Sequence, residues 1–450
     1  MRTLEKLLIL LVSGVLILDL TRHPQAAGIM AVVAALLGLL HGLIEKVRWQ
    51  MVPAYVATGG VAVCSLVGGA FLATTAVGTG VLLVASAALA TLLPVFLLPN
   101  PDGCHSIGTV TRRWAATTCS QLPPRQLTVQ FWYPTDACVG EKSRYRTNDD
   151  ARGLKSHLRL VRTHSFLDAP LSAAADKYPV ILFSPGWKGH LTQNTVQFEM
   201  LANRGFAVAS IEHPRAEGLP ADFNPSLEEN LRGYDGEVGI RAEDIQFVLD
   251  QIESLEQNDP EGLFTGRLDT SRIGMLGYSF GGAVTMEACW RDSRLKAGIN
   301  LDGMLFGESA DAGVRQPFLF MSSDGPLPSE SDLQCPDARR RVHMQALDRD
   351  MKRIQRSLGQ YGGYYLRIEG AAHSNFSDRP LYSPLRRLTD AGRTRPARAF
   401  QIINEYTLAF FEQYLNGRVQ STLESRVSPY RDADFSRHVA SVLIEADAIA

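Results

Sequence analysis

The stretch Ile273-Gly-Met-Leu-Gly-Tyr-Ser-Phe-Gly-Gly282 decides the fold of this chain. An apolar run enters a small-x-Ser-x-Gly turn, and a helix-compatible run from Ala283 to Trp290 leaves it. This pattern is typical of a nucleophile elbow, in which a strand turns sharply into a helix and holds a serine hydroxyl above the sheet edge. Because the turn is tight, a Cβ at Gly277 or Gly281 would crowd the crossing of strand and helix. Ser279 is therefore the candidate nucleophile.

The residues around this elbow alternate between strand-like and helix-like periods. Further strands are predicted at Ile107–Trp114, Gln126–Tyr133, Tyr178–Phe183, Gly205–Ser210, Ala297–Leu301, Pro317–Met321 and Tyr364–Ile368. Helices are predicted at Thr195–Asn203, Arg241–Leu255 and Arg398–Leu415. Strands that alternate with helices indicate a mostly parallel sheet covered on both faces. Together with the elbow, this predicts an α/β-hydrolase fold for a catalytic domain over residues 101–420, followed by a tail at 421–450.

Residues 1–100 have a different composition. No charged residue occurs from Met51 through Pro101. Because a hydrocarbon core needs about 20 apolar residues per helix, we predict a transmembrane region of three to four helices. The spans are roughly Leu7–Leu20, Ala26–Ile44, Val52–Ala73 and Val77–Leu98. The first span is the weakest, since it is short and carries Asp19, and its basic start also suits a signal peptide. No convincing cleavage site precedes Gln25, which favours an uncleaved anchor.

Two features point to opposite sides of the membrane for the catalytic domain. Four spans would place Arg2, Lys6, Lys46 and Arg48 on one side and Arg22 alone on the other, which favours a cytoplasmic domain. Cysteines in predicted loops could instead form disulfides in an oxidising compartment. These cysteines are Cys104, Cys119, Cys138 and Cys335. The formal net charge of −2 gives no indication of a nucleic-acid partner.

A serine nucleophile needs a base that takes its proton and an acid that orients the base. In this fold the chain order is serine, acid, histidine. Three histidines follow Ser279 in the sequence. His343 lies in a charged, helix-like segment and His438 in the tail, whereas His373 follows a predicted strand in a loop of small residues. His373 is therefore the predicted base.

Two aspartates compete for the role of the acid. Asp302 ends the strand that follows the elbow strand, and Asp324 follows the next strand along the chain. Both are expected at the carboxyl edge of the sheet, where sites of open α/β sheets gather. The spacing alone does not choose between them.

An oxyanion hole needs two backbone N–H groups that point at the developing alkoxide. One is expected from Phe280, directly after the nucleophile. The other is expected from the loop Ser184-Pro-Gly-Trp-Lys188, where Gly186 lets the backbone approach closely. We predict the N–H of Trp187 for this second position.

Several motifs resemble the platelet-activating factor acetylhydrolases of the plasma, lipoprotein-associated type. They are Val129–Pro134, Phe183-Ser-Pro-Gly-Trp187, Ile211-Glu-His-Pro214, Gly277–Gly282, Asn300-Leu-Asp-Gly303 and Gly370–Phe376, in register over about Gly103–Leu415. The resemblance implies Ser279 as nucleophile, Asp302 as acid and His373 as base, with Trp187 and Phe280 lining the oxyanion hole. The sequence departs from the family at Pro185, where a histidine is usual, and in its multi-span region.

The resemblance also implies calcium-independent hydrolysis of short or oxidised sn-2 acyl esters of phospholipids. The leading hypothesis is thus a membrane-anchored serine ester hydrolase that acts on a lipid or another amphiphilic ester. No cofactor is expected, and no metal, because His190, His213 and the cysteines lack ligand spacing. One alternative is a carboxylesterase or polyester hydrolase for non-lipid esters, and another is a catalytically idle hydrolase-fold scaffold. The sequence carries no indication of the oligomeric state.

Overall fold

A computed structural model describes residues 1–67, 73–116, 125–147, 151–214, 224, 228–325, 327–425 and 427–440. The chain divides into two compact units. The first, which we call the helical unit, comprises Met1–Leu98 with Arg144–Thr163 (the 144 segment) and Pro380–Thr389 (the 380 segment). The second, the sheet unit, comprises Pro99–Ser143, His164–Arg379 and Asp390–Ala450. Two segments from the predicted catalytic region therefore belong to the helical unit.

Four long helices build the helical unit, and alanines, valines and leucines pack between them. They are α1 (Thr3–Leu20), α2 (Pro24–Ile44), α3 (Val52–Val67) and α4 (Ala73–Leu92). On α2, Ala27, Ala31 and Ala34 are buried, whereas Leu36 and Leu43 are exposed. Small residues at helix contacts are typical of helices that pack within lipid, where apolar side chains face outward.

Two of these helices meet the length and composition of a membrane span. They are α2 and the part of α4 from Thr75 to Leu92. Helix α1 carries Glu5, Lys6 and Asp19, and α3 has 16 residues. The predicted span Val52–Ala73 continues into residues 68–72, which lie outside the described part of the chain. The described helices thus follow the four predicted segments. Among the described residues, two of the four helices are long and apolar enough to cross a membrane.

A buried ion-pair cluster joins three of the four helices at one end. Arg48 donates to both carboxylate oxygens of Glu5 over 2.7 and 2.6 Å, and Arg2 donates to Glu5 over 2.9 Å. Arg48 also donates to the carbonyl of Leu93 over 3.0 Å, and His41 lies 3.7 Å from the Glu5 carboxylate. Buried charges are tolerated when they are paired and hydrogen-bonded on several sides. The cluster therefore ties together the start of α1, the end of α2 and the end of α4.

The 144 and 380 segments pack at this same end of the helices. The indole N–H of Trp49 donates to the carbonyl of Leu154 over 3.1 Å. The Phe96 ring stacks on Tyr382 with 5.7 Å between centroids, and the hydroxyls of Tyr145 and Tyr382 lie 2.9 Å apart. Aromatic contacts thus anchor both segments where the chain leaves α4.

One eleven-stranded sheet runs through the described residues. Its strands are β1 (Ser106–Ala116), β2 (Arg125–Thr135), β3 (Lys142–Arg144), β4 (Arg162–Leu167), β5 (Tyr178–Ser184), β6 (Ala207–Glu212), β7 (Leu268–Tyr278), β8 (Leu295–Leu301), β9 (Phe318–Ser322), β10 (Gly363–Ile368) and β11 (Ala433–His438). The spatial order is β11-β10-β9-β8-β7-β5-β6-β2-β1-β4-β3. The six adjacent strands β10, β9, β8, β7, β5 and β6 run parallel to one another. Strand β11 pairs antiparallel at one side of this group, and strand β2 pairs antiparallel at the other.

Helices cover both faces of this sheet. The remaining helices are α5 (Thr195–Asn203), α6 (Glu228–Asn258), α7 (Phe280–Arg291), α8 (Ser309–Ala312), α9 (Glu330–Leu333), α10 (Ala338–Tyr361), α11 (Arg386–Thr389), α12 (Pro396–Tyr414) and α13 (Ser421–Glu424). On β5, Val180 and Leu182 join the core under α6 and α7, while Ile181 and Phe183 join the core under α5 and α12. Burial on both faces explains the continuous apolar runs of the central strands.

This architecture confirms the predicted α/β-hydrolase fold. The predicted helix Thr195–Asn203 has the same bounds in the structure, and each predicted strand is present within a few residues. Strand β11 lies in the predicted tail and pairs antiparallel with β10 along six residues, from Gly363↔His438 to Ile368↔Ala433. The tail therefore completes one edge of the sheet.

The helical unit predicts how the full-length protein partitions. Because α2 and residues 75–92 expose leucine and valine side chains outward, the protein should stay in the membrane pellet after alkaline carbonate and enter solution with detergent. Immunoblots of pellet and supernatant check this, with a peripheral membrane protein as the control. Release by carbonate alone would contradict the membrane assignment.

Candidate active site

The turn between β7 and α7 has the geometry of the predicted elbow. Ser279 has φ 55° and ψ −123°, a backbone conformation that L residues rarely adopt, and its N–H donates to the carbonyl of Leu301 over 2.9 Å. A Cβ on Gly277 would lie 1.9 Å from the carbonyl oxygen of Gly281, and one on Gly281 would lie 1.9 Å from that of Ser184. The two glycines are therefore required where strand, helix and the end of β5 cross.

The structure brings the predicted nucleophile, base and one of the two acids into one hydrogen-bonded chain. The Nε2 of His373 lies 2.9 Å from the Oγ of Ser279, and its Nδ1 lies 2.7 Å from the Oδ2 of Asp302. The other carboxylate oxygen of Asp302 accepts the N–H of Ser323 over 2.6 Å. Since a carboxylate accepts the Nδ1–H, the Nε2 can accept the serine proton. The Tyr278 ring stacks on the imidazole at 4.9 Å and limits its rotation.

The two competing aspartates lie in different environments. Asp302 faces His373 from the end of β8, whereas Asp324 is held by Arg367 over 2.5 Å and by the N–H of Gly370 over 2.8 Å. The Gly370 N–H, followed by the Arg367 charge, holds the pKa of Asp324 below its ordinary value. Asp324 therefore braces the loop that carries His373, and Asp302 contacts the imidazole.

The other histidines considered from the sequence lie outside this hydrogen-bonded chain. His343 lines a cavity beside the triad, and the Nε2 of His438 lies 3.1 Å from the hydroxyl of Ser436 on β11. His190 contacts Thr192 in the loop before α5.

The loop after β5 lies directly against the nucleophile. A Cβ on Gly186 would be 3.1 Å from the Cβ of Ser279, so glycine permits this approach. The N–H of Gly186 is held by the side-chain carbonyl of Gln193 over 2.9 Å. The rings of Trp187 and Phe280 meet edge to face with centroids 5.1 Å apart. The two residues predicted to supply oxyanion donors are therefore neighbours beside Ser279.

An apolar cavity of about 430 Å³ opens from the triad toward α10. Its apolar wall consists of Phe280, Met304, Phe306, Phe320, Met321, Leu347, Met351, Ile354 and Tyr365. Asp350 adds a buried carboxylate, which accepts the N–H of Leu305 over 3.0 Å, and burial raises the pKa of Asp350 to about 6. The volume lies within the range of about 300–1,000 Å³ that small-ligand sites occupy.

The sequence analysis did not identify this cavity, although a signal was present. Leu347, Met351 and Ile354 recur at helical spacing in an otherwise charged segment, which indicates one apolar face on α10. What that face covers depends on Phe280, Met304 and Phe306, which lie far earlier along the chain.

One group of possible metal ligands occurs among the described residues, and it lies in the helical unit. It consists of Glu5, His41 and Glu45. Arg2 and Arg48 already pair with the Glu5 carboxylate, which a metal ion would have to share with these two cations. The arrangement suits an ion-pair network better than a cation site.

Comparison with known proteins finds a match to one protein family over part of the chain. Residues 228–425 match the family described as platelet-activating factor acetylhydrolase, isoform II. This stretch contains Ser279, Asp302 and His373. The match supports the relationship that the motifs indicate.

Individual relatives extend the similarity beyond that stretch. The platelet-activating factor acetylhydrolase of Cavia porcellus is 25% identical over 281 residues, which cover 55% of this chain and 60% of that protein. The probable 1-alkyl-2-acetylglycerophosphocholine esterase of Arthroderma benhamiae is 24% identical over 420 residues, which cover 78% of this chain and 97% of that protein. The solved ferulic acid esterase of Streptomyces cinnamoneus has a TM-score of 0.59 at 25% identity and covers 76% of this chain and 99% of its own. Each of these names denotes a hydrolase or an esterase.

The contacts of the two aspartates predict unequal mutational effects. Asp302→Asn should lower kcat for an ester on the order of 10³- to 10⁴-fold, because an amide no longer holds the imidazole in the required tautomer. Asp324→Asn keeps an oxygen for the Gly370 N–H and should lower kcat less than about 10-fold. Purified variants assayed on a chromogenic short-chain ester give both values. The opposite ranking would move the acid to the later strand.

Proposed function

We propose that this chain is a membrane-anchored serine carboxylic ester hydrolase of the platelet-activating factor acetylhydrolase family. The observation that carries the proposal is the hydrogen-bonded chain Ser279–His373–Asp302, with contacts of 2.9 and 2.7 Å, beside a glycine loop at the carboxyl edge of the sheet. The same elements recur in unrelated serine hydrolases because acyl transfer needs a nucleophile, a base, an orienting acid and an oxyanion site.

The geometry supports acyl transfer in two steps. The Oγ of Ser279 attacks the ester carbonyl while the Nε2 of His373 takes the serine proton, and Asp302 stabilises the imidazolium. The N–H groups of Trp187 and Phe280 would stabilise the tetrahedral oxyanion. His373 then donates its proton to the leaving alcohol, which leaves an acyl-enzyme on Ser279. Water, deprotonated by His373, attacks this acyl group. The bond from the acyl carbon to the Oγ of Ser279 then breaks, His373 returns the proton to that oxygen, and the carboxylic acid leaves.

The cavity supports an acyl group with an apolar body. It begins at Ser279 and His373, so an ester carbonyl on the nucleophile would direct its acyl chain along Phe320 toward Met351 and Ile354. With the names of the relatives, this favours short or oxidised sn-2 acyl esters of phospholipids as substrates.

The helical unit supports a bilayer as the source of the substrate. Exposed leucines lie beside exposed cations in the two segments that pack at one end of the helices: Leu154 is 72% exposed next to Lys155, and Leu385 and Leu388 flank Arg386 and Arg387. Such mixed surfaces suit the interface between acyl chains and anionic headgroups.

The cations at this end also favour the cytoplasmic side. Lys6, Lys46, Lys155 and Arg387 are exposed there, whereas Arg22 lies between α1 and α2 at their other ends. The cysteines that the structure describes, Cys64, Cys104, Cys138, Cys289 and Cys335, are free thiols, which suits a reducing compartment. Cys119 lies outside the described residues.

A second candidate substrate class is the non-lipid carboxyl ester. The ferulic acid esterase has the same fold over 76% of this chain, and its name denotes an aromatic ester as substrate. A catalytically idle scaffold is less well supported, because Ser279, His373 and Asp302 lie within hydrogen-bond distance of one another along the hydrogen-bonded chain.

Removal of the nucleophile tests the enzymatic proposal. Ser279→Ala should abolish ester hydrolysis and covalent labelling by a fluorophosphonate probe, since the probe reacts with an activated serine. The thermal midpoint should stay close to that of the wild type, because this half-buried hydroxyl packs little surface. Labelling that survives the substitution would place the reactive serine elsewhere, and an unlabelled wild type would favour the scaffold.

A bulkier residue in the cavity tests the acyl site. Ile354→Phe should lower kcat/KM for long acyl esters relative to acetyl esters about 10-fold or more, because added side-chain volume shortens the cavity. Gln355→Phe is the matched control, since Gln355 is the next residue on α10 and is exposed. A series of esters that differ in acyl length gives the ratio. Equal profiles for the two variants would place the acyl chain outside this cavity.

A further inference from the structure

A second Ser–His–Asp chain lies behind the loop Ser184-Pro-Gly-Trp-Lys188, which we call the oxyanion loop. The Oγ of Ser184 is 3.0 Å from the Nε2 of His213, and the Nδ1 of His213 is 2.9 Å from the Oδ2 of Asp244. Ser184 and Asp244 have no exposed surface, and the His213 side chain is 1% exposed. A substrate therefore cannot reach Ser184. Any effect of this hydrogen-bonded chain on catalysis is exerted through the residues that it holds in place.

These three residues connect the start of the oxyanion loop to two other elements. Ser184 is the last residue of β5, His213 follows β6, and Asp244 lies on α6. Asp244 also accepts two bonds from Arg125, over 3.0 and 2.7 Å, at the start of β2. Through the His213 ring, the hydroxyl of Ser184 is thereby linked to the buried ion pair between Arg125 on β2 and Asp244 on α6.

The protonation state of His213 sets the direction of these bonds. Burial lowers the pKa of His213 to about 4, so the imidazole is neutral near pH 7. Since Asp244 accepts the Nδ1–H, the Nε2 carries a lone pair and Ser184 donates to it. His213 thus accepts from Ser184 and donates to Asp244, so each hydrogen bond of the chain has one defined direction.

Helix α6 contacts the oxyanion loop a second time. Arg241 lies one turn before Asp244 and donates to the carbonyl of Pro185 over 3.4 Å. Its guanidinium lies 5.7 Å from the ring centroid of Trp187 and 4.9 Å from that of Phe280. A single helical face therefore contacts both residues whose N–H groups would stabilise the oxyanion.

We propose that Ser184, His213 and Asp244 are positioning residues that set the place of the Trp187 N–H relative to Ser279. The inference rests on the proposed esterase function. Pro185 has a fixed φ, so the direction in which the loop leaves β5 follows from how Ser184 is held. Oxyanion donors act over about 2.7–3.1 Å, so a small displacement of this loop weakens the transition state more than the bound substrate.

The smallest test removes the Ser184 hydroxyl from the full-length protein. Ser184→Ala should lower kcat about 10- to 100-fold, the effect of a displacement near 1 Å, while KM stays within about twofold. The affinity for an alkyl trifluoromethyl ketone, which forms a tetrahedral adduct on the nucleophile, should fall by the same factor as kcat. A merely structural role would change stability without this parallel loss.

Two further variants separate positioning from general damage to the fold. Ser165→Ala is the matched control, because Ser165 is also a fully buried serine, and its hydroxyl donates to Glu199 over 2.6 Å. It should lower the thermal midpoint and leave kcat unchanged. His213→Gln should resemble Ser184→Ala in its effect on kcat. The double variant should lose no more activity than the less active of the two single variants, because both substitutions break the same chain of hydrogen bonds.

The outcomes distinguish this inference from the function on which it rests. An unchanged kcat for Ser184→Ala, an unchanged affinity for the ketone, or additive losses in the double variant would overturn the positioning role. Turnover that needs Ser279 but not Ser184 overturns this inference alone. Turnover that survives Ser279→Ala overturns the proposed function as well.

Discussion

The crossing of β7, α7 and the end of β5 constrains everything else at the site. Ser279 holds a positive φ of 55° because the backbone on both sides is pressed against neighbouring carbonyls, 1.9 Å from where a Cβ of Gly277 or Gly281 would lie. Residual strain of this kind persists when surrounding contacts over-determine it. The hydrogen bond from Ser279 to Leu301 adds the neighbouring strand to the same constraint.

The carboxyl edge of the parallel strands then assembles the remaining groups. β5 supplies the glycine loop, β8 supplies Asp302 and the loop after β10 supplies His373. The N–H of Asp302 donates to Met321 on β9, and Asp324 after β9 braces the loop of His373. Each functional side chain is thus held by a strand next to its own, which is a property of a parallel sheet and not of any single loop.

Helix α2 of the helical unit differs from the sheet unit in which apolar side chains it buries. In the sheet unit large apolar side chains such as Phe183 and Phe198 are buried, and their rings meet at 4.7 Å. On helix α2 of the helical unit, Ala27, Ala31 and Ala34 are buried while Leu36 and Leu39 are exposed. The reversal follows if water surrounds the first kind of surface and lipid the second, because lipid offers no hydrophobic penalty for an exposed leucine. The ion-pair cluster of Glu5, Arg2 and Arg48 is buried at one end of these helices, where three of them meet.

The sequence by itself determined the elements of the fold and two members of the candidate triad. The elbow motif identified Ser279, the order of residues identified His373, and periodicity predicted α5 and the central strands, because each of these signals arises between residues close along the chain. The tertiary structure places Asp302 against His373, whereas Asp324 contacts Arg367 and Gly370, which lie 43 and 46 residues beyond it. The cavity under α10, the Ser184–His213–Asp244 chain and the placement of the 144 and 380 segments were likewise decided only in three dimensions. Each depends on which distant surfaces meet, and local spacing carries no record of that.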